Sequence, residues 1–175
     1  MKKSWVVSIL AFLTGCVGVP EGLTPVRDFD LSRYLGTWFE IARLDHSFER
    51  GLVSVQAEYS LRLDGGIRVI NRGFQPSTGK WKQAEGKAYF VEDPGMGRLK
   101  VSFFGPFYGA YNIIGLDHEH YSYAMVCGPD RSYFWILSRS PDLPESLKKD
   151  LIQKARDLGF DTEKLIHVKH DARPF

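Results

Sequence analysis

Cysteine is scarce in this sequence: two residues, Cys16 and Cys127, in a chain of 175. One pair cannot make the multi-bridge framework on which small secreted domains rely. No run of 18 apolar residues is present, so no helical membrane span is expected. Charge of one sign is lacking too, since 23 Lys+Arg face 21 Asp+Glu for a formal net charge of +2. Signatures of catalysis and nucleotide binding are also missing. There is no Gly-x-Ser-x-Gly elbow, no phosphate-cradling glycine loop before a helix and no His-Glu-x-x-His. What is plentiful is apolar and aromatic character, at 43% and 14%, which excludes a disordered chain. The length suits one domain with a core of its own.

The small positive charge lies in a leader. Lys2 and Lys3 precede an apolar stretch, residues 5–13, too short to span a bilayer stably, and together these form the n- and h-regions of a secretory signal. The stretch ends in Leu13-Thr14-Gly15-Cys16, which resembles the bacterial lipobox. That resemblance implies a diacylglycerol on the Cys16 thiol, cleavage before Cys16 and acylation of the new amine. The alternatives are an ordinary signal peptide with a chance cysteine, or a buried starting helix. Several acyl chains, at about 0.8 kcal/mol per buried CH₂, anchor essentially permanently. Val17 stands where lipoproteins kept in the inner membrane carry Asp, so the implied partner is the outer membrane, at its periplasmic face. Cleavage takes two lysines and no acid, leaving 21 bases against 21 acids. A neutral chain in that compartment argues against nucleic acid as a partner. Cys127 is left with no partner for an intramolecular disulfide.

Residues 16–30, with Pro20 and Pro25, read as the lipidated N-terminus and a tether of about 45 Å at full extension. From residue 31 onward short period-two patterns follow one another between turn signals. Strands are expected over residues 38–44, 53–61, 67–74, 81–92, 99–103, 107–116, 121–128 and 132–139. Asp64-Gly65-Gly66 joins the second and third, its glycines accepting positive φ. After Ser140-Pro141 the period changes. Pro144 suits a first helical turn, and Leu147, Leu151, Ala155 and Leu158 share one face before Gly159. Residues 165–168 make a short ninth strand. Eight sequential antiparallel strands and one amphipathic helix favour an all-β up-and-down barrel with the helix packed outside, which removes exposed edges. A Greek-key sandwich fits the pattern alone.

Gly36-Thr37-Trp38 opens the first strand and Trp135-Ile136-Leu137-Ser138-Arg139 ends the eighth. This pairing resembles the lipocalin family. The wider text at residues 34–43, 101–111, 126–130 and 135–139 is similar to the bacterial outer-membrane lipocalins, relatives of apolipoprotein D. The resemblance covers residues 31–175 and implies an eight-stranded calyx that binds fatty acids, lysophospholipids or similar lipids. Such a protein stores or transports its ligand in the cell envelope, as a monomer or homodimer and without enzymatic activity. In a closed meander the start of strand one and the end of strand eight are neighbours, so Trp38 and Arg139 should stack as a structural pair at the closed end. The family's Asp-to-Tyr motif is longer here, and either Tyr121 or Tyr123 fills its position.

Strand parity selects the interior. The candidate ligand-binding residues are Val55, Ala57, Tyr59, Val69, Ala88, Phe90, Val101, Phe103, Tyr111, Ile113, Tyr133 and Trp135. Small residues among the inward positions leave volume, and an apolar cavity with phenolic hydroxyls suits an acyl chain with a polar head. A filled barrel, hence a structural lipoprotein, is the contrary reading. Parity also turns Glu40 and Ala42 inward, with Glu40 meeting a head group or a tyrosine, or serving as a satisfied structural acid. The mouth opposite Trp38 gathers Arg50, Lys80 and Arg131 with Phe48, Phe104, Phe107 and Tyr108, diluted by Asp45, Glu49 and Asp130. No cofactor or metal is implied. His118 and His120 flank Glu119 in a turn without further ligands, and His167 and His170 fare no better. Cys127 would serve a lipid-modifying enzyme as nucleophile, but parity turns it outward toward the helix, where a thiol is inert.

Overall fold

The computed structural model describes residues 17–172. The expected signal peptide, residues 1–15, and the expected lipidation site Cys16 lie outside the described residues. A single turn α1 (Leu31–Tyr34) leads into eight strands: β1 (Gly36–Arg43), β2 (Val53–Leu61), β3 (Ile67–Gln75), β4 (Lys80–Phe90), β5 (Arg98–Phe104), β6 (Phe107–Leu116), β7 (Tyr123–Cys127) and β8 (Phe134–Ser138). Helix α2 (Glu145–Asp157), a 3₁₀ turn and the two-residue β9 (Ile166–His167) complete the chain. Each strand pairs antiparallel with the next, and β1 pairs with both β8 and β2, so the sheet closes into a barrel rather than a sandwich.

Local chemistry explains the elements. Along β2 the apolar phase alternates with polar residues, and the β2–β3 turn is held by Asp64, whose carboxylate accepts the Gly66 amide at 3.0 Å while Gly65 takes a φ of +79°. Asp30 starts α1 by accepting the Ser32 amide at 2.8 Å. Pro144 occupies the position before the first turn of α2 rather than the turn itself, and Gly159, with φ +85°, follows its end. β7 and β8 are shorter than expected from sequence, because residues 128–133 turn the chain at one end and Asp117 organises the loop to Ser122 at the other.

Two apolar clusters result. One lies inside the barrel and holds Trp38, Tyr59, Val69, Ala88, Leu99 and Ile113. The other lies between the barrel wall and α2, where Leu151 and Ala155 meet Ile41, Met125, Cys127, Phe134 and Ile136. Cys127 is fully buried there, and burial pushes its thiol up to about 12, so it is no nucleophile.

The expected free tether is not free. The Asn112 side chain donates to Gly18 O at 3.0 Å and Arg131 to Glu21 O at 2.7 Å, both beside the loop that follows β7. Further on, the Val26 amide donates to Ile113 O at 2.8 Å, next to Asn112 on β6, and that of Phe29 to Gly95 O at 2.9 Å, in the β4–β5 turn at the opposite end. Leu23 and Phe29 are buried. Residues 18–29 therefore run down the outer wall from one barrel end to the other. Unpaired backbone at residues 97 and 113 accepts them, and apolar side chains that a solvated linker would expose are covered.

Candidate ligand cavity

One end of the barrel is shut by stacked cations and rings. Trp38 is fully buried, and the Arg139 guanidinium lies 4.0 Å over its ring. The indole donates to Tyr34 O at 2.8 Å, while Arg139 donates to Thr37 O and Arg33 O at 2.9 and 2.6 Å. Tyr121 is the tyrosine that reaches this plug: Arg33 stands 4.2 Å over its ring and its hydroxyl accepts the Asp30 amide at 2.9 Å. Tyr123 lies against the helix-side cluster instead.

Above the plug the barrel is hollow. The cavity has a volume of about 110 Å³, and its walls are almost wholly apolar. An interior that leaves this space excludes the filled-barrel alternative. Val55, Ala57, Tyr59, Val69, Ala88, Val101, Phe103, Tyr111 and Trp135 line it. The remaining inward candidates lie elsewhere. Phe90 packs edge-on against Phe29, with ring centres 6.0 Å apart, and Ile113 backs the Val26 segment, both in the closed-end packing. Tyr133 precedes β8 and stacks on His46 at 6.1 Å, near the mouth.

Three tyrosines supply polarity near the floor. The Tyr111 hydroxyl lies 2.8 Å from that of Tyr34 and 2.9 Å from that of Tyr59. Burial raises all three phenols above their ordinary range, so the triad is neutral. A second polar group sits toward the mouth. Arg43 is buried and donates to Glu40 Oε1 at 2.6 Å and to Glu49 O and Leu52 O at 3.0 and 3.1 Å. Glu49 Oε2 accepts the Trp135 indole at 3.2 Å. His46 is buried with its Nε2 3.2 Å from the same oxygen, yet neither ring nitrogen is aligned for a hydrogen bond. Desolvation lowers His46 to about 4, so it is neutral, whereas burial and the facing carboxylate raise Glu40 well above the usual range. Glu49 is raised by burial as well.

This arrangement matches the description of a known family. Residues 29–170 fit the model of the lipocalin-like domain. The chain is a lipocalin. Outer membrane lipoprotein Blc of Vibrio cholerae is 53% identical over 169 residues, covering 97% of this chain and 99% of that one. Blc of Escherichia coli K12 is 58% identical over 150 residues, 86% of this chain and 84% of that one. Rat apolipoprotein D is 36% identical over 152 residues, 78% and 79% of the two chains. Among solved structures, insecticyanin of the tobacco hornworm superposes with a TM-score of 0.69 at 27% identity, over 87% of this chain and 86% of that one. With relatives of such identity named outer membrane lipoprotein, the location read from the leader stands.

Several cavity residues of this lipocalin escaped strand parity. The sheet slips between Glu40 and Ala42 where β1 pairs with β8, so Ala42 faces the helix side rather than the interior and Arg43 turns toward Glu40. A second slip between Val53 and Gln56, with Ser54 at φ +51°, brings Gln56 to the wall beside Ala57. Asn71 continues the phase of Ile67 and Val69 and is inward despite its amide. Glu49, expected at the rim as a solvated charge, is buried in the cavity wall. Arg131, also expected at the rim, is tied to Glu21 O and Leu158 O. Arg50 is exposed and paired with Asp45 at 2.7 Å. Among the described residues no cluster of His, Cys, Asp and Glu could hold a metal.

Proposed function

We propose that this lipocalin binds a single-chain lipid, a fatty acid, lysophospholipid or similar amphiphile, in the barrel and stores or carries it in the cell envelope. Acyl chains on Cys16 hold it to the outer membrane. The observation that carries the reading is the hollow, nearly apolar interior, ending in three neutral tyrosine hydroxyls at one side and in the Glu40–Arg43–Glu49 group toward the other. An acyl chain fills such a space without leaving polar groups unpaired, and the few hydrogen-bonding groups fix its ends. Among the described residues none that lines the cavity is a Cys, Ser, Thr, Lys or His, which supports a binding protein rather than an enzyme acting on the lipid.

The docked N-terminal segment gives the mouth a direction. Gly18 and Glu21 lie beside the β7–β8 loop, at the level of the mouth, and Cys16 precedes Val17 by one peptide unit. The anchor therefore draws the open end toward the bilayer. Phe48, Phe104 and Phe107 are exposed on the β1–β2 loop and the β5–β6 turn, which belong to that end. Lipid leaving the bilayer would enter the barrel past these rings, with little passage through water.

The reading is tested by native mass spectrometry of protein released gently from membranes. A bound species with the mass of one single-chain lipid is expected; protein that carries no lipid, and takes up none on incubation with lysophospholipid, contradicts the reading.

A further inference from the structure

Two carboxyls meet toward the mouth of the cavity, on a wall to which no described residue contributes a cation. Glu40 comes from β1 and Glu49 from the β1–β2 loop, and both are buried and line the cavity. Arg43 is the cation beside them, and its terminal nitrogens are committed to Glu40 Oε1, Glu49 O and Leu52 O. Apart from the hydrogen bond between the two carboxyls themselves, no described residue donates to Glu40 Oε2 or Glu49 Oε1. His46, 5% exposed, has no hydrogen-bond partner on either ring nitrogen although it stands 3.2 Å from Glu49. Aromatic faces surround the group: Phe48 stacks on His46 at 4.0 Å, and Trp135 lies 5.0 Å from the same ring. An anionic head entering here would face two acids and one guanidinium of which only Nε is unpartnered. An ammonium would face π-faces and acceptor oxygens bridged only by the proton the pair shares, the surroundings that favour a cation.

We propose that Glu40 and Glu49 form a cation-accepting subsite toward the cavity mouth, which selects single-chain amphiphiles bearing an ammonium group over those ending in a carboxylate. The inference rests on the lipid-binding reading above and narrows its ligand class. Its proton balance is defined. Burial raises both carboxyls, the charge of Glu49 raises Glu40 further, and a hydrogen bond from Glu40 holds Glu49 down, so the pair by itself keeps one proton between them opposite Arg43. The other groups facing it are His46, with Asp45 and Arg50 behind it on the same loop, and Tyr59 from β2. His46 and Tyr59 are both neutral at neutral pH. When an ammonium arrives, the pair releases its proton to solvent and the ligand keeps its own. The complex then holds two carboxylates against Arg43 and the ligand's charge.

The test is calorimetric titration of the full chain carrying Cys16→Ser, near neutral pH, in two buffers of different ionisation heat. The probes are dodecylamine, dodecanol and dodecanoate, together with lauroyl lysophosphatidylethanolamine and lauroyl lysophosphatidylglycerol. Dodecylamine should bind about tenfold or more tighter than dodecanol and dodecanoate, the factor a buried charge-assisted contact supplies. Its heat should depend on the buffer, reporting release of up to about one proton, whereas that of dodecanol should not. A preference for the ethanolamine over the glycerol lysolipid assigns the ammonium to a lysophospholipid head; a preference confined to dodecylamine assigns it to a free amine. Glu49→Gln should bring the amine-to-alcohol affinity ratio close to one. The buffer-dependent heat is read without altering either acid, so a poorly folding variant does not blunt the test. Equal affinity for dodecanoate and dodecylamine, with no proton released, overturns the subsite while lipid binding stands. Failure of every chain to bind overturns the lipid-binding reading itself.

Discussion

Glu40 shows how burial turns one side chain into a pH-dependent contribution to stability. Its carboxyl is raised first by desolvation and then by the charge of Glu49, against the pull of Arg43. The folded state therefore retains a proton that the unfolded chain gives up, and stability is lost as pH rises through the folded value. His46 and His167 are lowered from 6.5, so their opposite effects fall below that pH, and Cys127 begins to act only near its unfolded value of 9.0. Between those limits the carboxyl pair dominates. Unfolding free energies from urea titrations between pH 6.5 and 9.0 should decline at up to about 1.4 kcal/mol per pH unit, and Glu40→Gln should flatten the decline. A flat profile in the unaltered protein would mean that both acids are ionised in the fold. Residue type alone showed Glu40 to be an inward acid, because it shares the parity of Trp38. It did not show Arg43, since one slipped position in β1 turns that side chain round, and a period-two reading carries no mark of the slip.

At the scale of elements, the barrel closes through a strand with several neighbours. β1 pairs with β2 only from Gly36 to Phe39; past that point β2 diverges, and β9 pairs with Ala42 and Arg43. The alternation of β2 to β6, the Asp-Gly-Gly turn and the α2 face were legible because each is a local pattern. The docking of residues 18–29 was not legible, because it depends on backbone groups of Gly97 and Ile113 that only the closed barrel brings together. Gly97 fits there because it has no side chain: a Cβ at this position would lie 2.8 Å from Val26 Cγ2 and 2.9 Å from Ile113 Cβ. Gly97→Ala should lever the segment away. Amide hydrogen exchange at Val26 and Phe29 should then accelerate by about tenfold or more while β2 and β3 remain protected. Unchanged exchange at both amides would show that the segment is not held by this contact.

Across the whole molecule, a formal net charge of +2 over 175 residues has little to offer a partner, and what distinguishes the surface is the position of apolar groups. Of five exposed large hydrophobic residues among those described, Phe48, Phe104 and Phe107 belong to the mouth, while Leu61 and Leu63 share one hairpin at the closed end. With Gly18 and Glu21 held beside the mouth, the proposed anchor on Cys16 would place the rings to enter the headgroup region. Replacing Phe104 and Phe107 by Ser in the Cys16→Ser chain should weaken partition onto lipid vesicles by about tenfold or more, given the apolar area removed. Partition unaltered by that change would turn the mouth away from the membrane.

The central claim is that the barrel's interior is the lipid site, and filling it tests that claim most directly. Ala88 lies on β4 with its methyl on the cavity wall, and Ala88→Phe puts a ring into the space without removing a hydrogen bond. Titration of the Cys16→Ser chain with a lauroyl lysophospholipid should show one saturable site, lost or weakened by about a hundredfold in Ala88→Phe, with cooperative unfolding retained. Equal binding by the folded variant would contradict the account, because the lipid would then be held outside the barrel.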